Sequence, residues 1–141
     1  MHDGLILTLT TAGLMFLLTG CSAGGGPARA GGGTGPGGFV HAVFFDLQPG
    51  APEPRVEALI QDAYRLLGQI PTVRTIDSGR RETLMRREVN DQSFTVGLVV
   101  YFDDKAGHDV YATHPLHQEY IDKHKDLWAR VRVMDFNAEG S

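Results

Sequence analysis

Phe39-Val40-His41-Ala42-Val43-Phe44-Phe45-Asp46-Leu47 is the stretch that decides the fold. A β-strand points successive side chains to opposite faces. Here both alternating sets are apolar: Val40, Ala42 and Phe44 on one, Val43, Phe45 and Leu47 on the other. A strand with one face in water would alternate apolar with polar residues. Phe94 to Phe102 repeats the two-sided pattern with Val96, Leu98, Val99, Val100, Tyr101 and Phe102. A sheet built from such strands has helices on one face and an apolar second face. An exposed face of that kind is an interaction surface. The economical arrangement is a homodimer whose two sheets face one another and form a shared barrel.

Working outward, Pro49, Gly50 and Pro52 stop the first strand. Pro54 to Ile70 reads as a helix, because Val56, Leu59, Ile60, Ala63, Leu66 and Leu67 recur at three- and four-residue spacing. Gly68 and Pro71 close it. Val73 to Gly79 is a second, weaker strand, and Arg80 to Gln92 a polar connection. After the Phe94 to Phe102 strand, Asp103 and Asp104 are placed to cap a short helix running to Thr113. Pro115 suits the first turn of a further helix reaching Trp128, and Arg130 to Phe136 is the last strand. The order β-α-β-β-α-β is the split, ferredoxin-like α+β arrangement: a four-stranded antiparallel sheet with its helices on one face.

The N-terminal third has a different character. Leu5 to Leu18 is an uncharged run of 14 residues. It is shorter than the roughly 18 to 20 residues that span a bilayer, and it fits the apolar core of a signal peptide. Leu18-Thr19-Gly20-Cys21 follows and resembles the lipobox of bacterial lipoproteins, although Met1 to Gly4 carries no Lys or Arg. That resemblance implies residues 1–20 as a cleaved leader and Cys21 as the lipidated new N-terminus. Ser22 rather than Asp after the cysteine favours the outer membrane of a two-membrane bacterium. Nine of the 18 glycines fall between Gly24 and Gly38, with Pro27 and Pro36. Residues 21–38 therefore read as the lipidated cysteine and a tether with too little apolar surface to order itself. Residues 39–141 are one domain, long enough for one core. Cys21 is the chain's single cysteine, so no intrachain disulfide forms. The net charge of −4 gives no electrostatic footprint for nucleic acid. The arginines between Arg80 and Arg87 are interleaved with Glu82, Glu88 and Asp91 and read as a solvated connection.

Two segments carry chemistry: the first strand with His41, and Tyr111-Ala112-Thr113-His114-Pro115-Leu116-His117. Together with the strand order they resemble the stress-responsive A/B barrel (Dabb) family, over about a hundred residues. The resemblance implies a dimeric α+β barrel. The family includes a plant polyketide cyclase that closes its substrate by aldol condensation. Carried over by that likeness, Tyr111 and His117 stand as the catalytic pair, and His41 corresponds to a site histidine of the first strand. His41 and His114 are the candidate ligand-binding residues. In chemical terms, a histidine near neutrality removes a proton beside a carbonyl, and a tyrosine hydroxyl stabilises the oxygen that gains charge.

The same residues also support a purely structural account. His114 can cap the helix that Pro115 opens. His117, Ile121, His124 and Trp128 share one helical stripe and can pack with satisfied rings, and Tyr111 can be a core aromatic. Helical spacing puts His114, His117 and His124 near one another, with His108 close by, yet the set lacks the cysteine or carboxylate spacing of a structural zinc site. No metal and no cofactor are expected. Three functions stand open. One is a membrane-tethered homodimer binding a small apolar or aromatic ligand or serving a stress response. The second is a cyclase- or isomerase-like enzyme using the His/Tyr pair, and the third is a structural, partner-binding lipoprotein.

Overall fold

Gly38–Leu47 (β1) lies inside the sheet, as an apolar strand must. It pairs antiparallel with Val96–Phe102 (β3) on one side and with Trp128–Ala138 (β4) on the other. Thr75–Arg80 (β2) pairs antiparallel with β3, giving the order β2-β3-β1-β4. The computed structural model describes residues 38–139. The expected leader, the lipidated Cys21 and the glycine tract up to Gly37 lie outside the described residues. Gly38, assigned above to the tether, is instead paired with Ala138 in the sheet.

Three helices complete the ferredoxin-like arrangement: Glu53–Arg65 (α1), Lys105–Thr113 (α2) and Pro115–His124 (α3). Among the described residues no helix is long and apolar enough to cross a membrane. Helix α1 ends five residues before the expected Ile70. Pro71 disfavours helical backbone at the residue before it, and the chain tightens into a 3₁₀ turn, Leu67–Gln69, that still buries Leu67 and Ile70. Helix α3 likewise stops at His124. A second 3₁₀ turn, Lys125–Leu127, delivers Trp128 to the sheet, so β4 is longer than the sequence indicated. Asp104 caps α2 by accepting a 2.8 Å bond from the Gly107 N–H.

Cross-strand register assigns the faces. Phe39, His41, Val43 and Phe45 of β1, with Val96, Leu98, Val100 and Phe102 of β3, face the helices. There they meet Val56, Leu59, Ile60, Ala63, Tyr111 and Tyr120 in one core. The opposite face carries Val40, Ala42 and Phe44 beside Tyr101, Val99, Met134 and Phe136. Val40 and Ala42 are buried by their neighbours, while Tyr101, Met134 and Phe136 stand exposed. The two-sided apolar pattern thus has a helical cover on one side and bare apolar surface on the other. The helix-side residues of β4 are also open: Val131, Val133 and Asp135 lie across from Phe45, Val43 and His41, and all three are exposed.

Candidate functional site

The helix side of β1 changes character at one position. Between Phe39 and Val43 sits His41, and α2 and α3 bring a set of rings over it. His41 and His108 lie 4.9 Å apart by ring centres, and His41 and Tyr111 5.9 Å. Tyr111 packs its edge on Phe102 at 5.1 Å and stacks with His117 at 4.5 Å. The break between α2 and α3 makes the last contact possible. His114 adopts the extended backbone that Pro115 imposes on its predecessor, and the turn folds His117 back over Tyr111.

Hydrogen bonding fixes which nitrogen of each histidine is free. His41 Nδ1 lies 2.7 Å from Asp135 Oδ1, and a carboxylate only accepts, so Nδ1 carries the proton. His117 Nδ1 lies 3.0 Å from the Ala112 carbonyl and donates for the same reason. In both rings Nε2 is left as the bare acceptor. Burial holds both histidines below their ordinary pKa, outweighing the Asp135 carboxylate at His41 and the Ala112 carbonyl at His117. Both rings are therefore neutral bases near pH 7. Burial drives the Tyr111 phenol far above its usual pKa, so it keeps its proton. Tyr111 is 1% exposed, and among the described residues its hydroxyl has no protein hydrogen-bond partner. The result is one available donor flanked by two available acceptors. Val131 and Val133 of β4 stand exposed on the same sheet face as His41.

The structure brings His41, Tyr111 and His117 together, with His108 beside His41, and takes His114 and His124 up elsewhere in the fold. His114 Nδ1 accepts from the Leu116 N–H at 3.2 Å, so it caps α3 and is taken up by the fold. That arrangement is the helix cap that the sequence also allowed for His114. His124, at the end of α3, is buried and bonds Asp62 of α1 through Nε2 at 3.0 Å. Trp128 belongs to β4. The helical stripe of His117, Ile121, His124 and Trp128 is accordingly not one surface. The sequence reading missed Asp135. It stands in the last strand between Met134 and Phe136, and only strand register, which sets it across from His41, gives it a role. A cavity of about 500 Å³ lies elsewhere, in the β2–β3 connection, with Arg81, Arg86 and Arg87 among its walls.

Comparison with known proteins agrees with this architecture. Residues 39–138 match the family described as Stress Responsive A/B Barrel Domain, or Dabb. A stress-response A/B barrel domain-containing protein of Arabidopsis thaliana is 25% identical over 99 residues, 70% of this chain and 85% of the relative. Among solved structures, a dimeric ferredoxin-like protein from Thermobifida fusca superposes with a TM-score of 0.63 at 20% identity, over 73% of this chain and 92% of its own. A Dabb protein with a ferredoxin-like fold from Mesorhizobium loti gives 0.59 at 21%, over 71% and 95%. Hydroxynitrile lyase from Passiflora edulis gives 0.63 at 17%, over 76% and 98%. The family match over residues 39–138 takes in all four strands and the described core.

Proposed function

The chain belongs to the stress responsive A/B barrel domain family, and on that premise we propose that it is a lipid-anchored homodimer that binds a small apolar or aromatic ligand bearing a carbonyl or acidic oxygen. One observation carries the reading: among the described residues the Tyr111 hydroxyl and the Nε2 atoms of His41 and His117 are all free of protein partners, at one place. The fold leaves one donor and two acceptors uncommitted, and a ligand oxygen that accepts from the phenol is the partner this arrangement suits. The uncovered sheet face and the solved relatives described as dimeric support the homodimer. The apolar run before Cys21 and its lipobox-like context support the anchor, with the domain held near the membrane of the cell envelope.

The test is thermal unfolding of residues 38–141 against aromatic acids and short β-diketones, with His117→Ala alongside. A ligand at a hundred times its dissociation constant adds about 2.7 kcal/mol, and each kcal/mol raises the Tm of a domain this size by about 4–8 °C. A shift in the wild type that His117→Ala loses supports the site. A full panel without a shift overturns it.

The tautomer of His117 favours a second reading, acid–base catalysis. With Nδ1–H held by Ala112, Nε2 is free to take a proton from the carbon next to a ligand carbonyl, while the Tyr111 O–H donates to the oxygen that gathers charge. Turnover lost in both His117→Ala and Tyr111→Phe supports it. A ligand that binds and emerges unchanged leaves only binding.

A further inference from the structure

The histidines that helical spacing groups together, His114, His117 and His124, are dispersed by the fold, and a different set is assembled. His41 from β1, His108 from α2 and Asp135 from β4 each place one ligand atom within 4.8 Å of the other two. We propose that these three side chains form a binding site for one first-row divalent transition ion of the zinc class, with at least one coordination position left open. The proposal shares His41 with the ligand site above: an ion at Nδ1 moves that ring's proton to Nε2, while Tyr111 and His117 take no part in it.

The donor set suits such an ion. Two imidazoles and one carboxylate are a borderline N₂O combination, typical of zinc and iron(II) sites and unlike the all-oxygen shells of calcium and magnesium. Three protein ligands with a free fourth position is the pattern of reactive sites, whereas structural zinc sites are closed by four. The three residues come from three different elements, so the chain order disguises them: His41 and Asp135 are 94 positions apart.

His108 supplies the independent sign. Its Nδ1 is buried with no hydrogen-bond partner. Asp109 Oδ1 is 3.6 Å from it, beyond hydrogen-bond reach. The ring is nonetheless held firmly, against Phe39 at 5.0 Å, His41 at 4.9 Å and Phe102 at 5.5 Å. A polar ring fixed among aromatic neighbours with an unmet nitrogen is costly to the fold, and an ion gathered with His41 and Asp135 removes that cost. Around an ion at about 2.0–2.2 Å from each ligand, the donor atoms sit roughly 3.4 Å apart. The His41–Asp135 pair is closer than that, at 2.7 Å, and His108 lies within 4.8 Å, so an ion that displaces the His41 Nδ1 proton opens the pair and draws His108 in, each by on the order of 1 Å. Asp135 is the solvent-facing member, with its side chain 39% exposed, and gives the ion a path of entry.

The experiment uses residues 38–141, freed of any affinity tag and stripped with chelator, titrated with Co²⁺ and with Zn²⁺. The expected result is one ion per chain by calorimetry, with a visible Co²⁺ absorption band characteristic of four or five ligands. His108→Leu and Asp135→Asn are each expected to weaken binding by at least tenfold and to remove the band. Asp135→Asn keeps the side-chain shape and decides the matter if His108→Leu does not fold. His117→Ala is expected to bind the ion as the wild type does while losing the organic-ligand shift, so failure of the two proposals is distinguishable. No stoichiometric binding, or binding that survives both His108→Leu and Asp135→Asn, overturns the metal site.

Discussion

Phe136→Glu is the change that most directly tests whether two sheets close on each other. Phe136 lies across from Val40 on the face away from the helices, with Tyr101 and Met134 beside it. It is 54% exposed. Full burial of a Phe side chain is worth about 1.5–3 kcal/mol, so covering the exposed half returns roughly 1–1.5 kcal/mol. A twofold axis repeats the contact, for about 2–3 kcal/mol per dimer. The substitution forfeits that and places two carboxylates in an apolar interface, each at several kcal/mol. A total above about 4 kcal/mol is a loss of more than roughly a thousandfold in association, at 1.4 kcal/mol per decade. Sedimentation velocity of residues 38–141 across the micromolar range reads it directly. The wild type is expected as a dimer and Phe136→Glu as a folded monomer with a cooperative thermal transition. Leu84→Glu, in the exposed β2–β3 connection, is expected to leave the dimer intact. A monomeric wild type, or a Phe136→Glu dimer of unchanged affinity, refutes the reasoning, because the bare apolar face would then have no partner sheet.

Asp62→Ala is expected to cost about 3 kcal/mol, or roughly 12–24 °C in Tm, since it leaves the buried His124 Nε2–H without an acceptor; the ion pairs of Asp62 with the more exposed Arg65 and Lys123 add little, and a loss under about 1 kcal/mol in chemical denaturation counts against the pair. Burial holds His124 below its ordinary pKa against the pull of Asp62, with Lys123 and Arg55 adding to the depression. Unfolded chains therefore take up a proton below about pH 6.5 that the folded chain refuses, and this contribution to stability is present above that pH and lost as pH falls toward the folded value. The difference in unfolding free energy between pH 7 and pH 5 should shrink in His124→Gln, and an unchanged difference rules the histidine out. Asp62, held below the usual carboxylate range by hydrogen bonds from Lys123 and His124 despite its burial, acts in the same direction at lower pH: its contribution is present above about pH 4 and lost as pH falls through its folded value. In a full-length chain expressed in a bacterium, Cys21→Ser is expected to move the protein from the membrane fraction to the soluble one, and equal partition of both forms dismisses the lipid anchor.

Much of the fold was legible in advance because it depends on patterns that survive without coordinates. The two-sided strand at Phe39 to Leu47 and the spacing of Val56, Leu59, Ile60 and Ala63 name their elements by period alone. Helix ends were read less well. Helix α1 stopped at Arg65 and gave way to a 3₁₀ turn that buries Leu67, and the 3₁₀ turn before Trp128 traded helical continuity for a longer β4. In each case tertiary packing outweighed local periodicity over a few residues.

The site divides in the same way. Sequence by itself determined the sheet, its order, the family and the proximity of Tyr111 and His117, which a proline at a fixed offset brings together within one local turn. Only the tertiary structure decided which histidines matter. Register across β1 and β4 set Asp135 on His41, and the packing of α2 turned His108 onto the same point. Packing of α3 on α1 gave His124 to Asp62, while the cap made by His114 is local and already open to the sequence. The physical reason is range: periodicity and turn chemistry act over a few residues, whereas the partner of a buried ring nitrogen is chosen by whichever distant strand or helix the burial of apolar surface happens to bring within 3 Å.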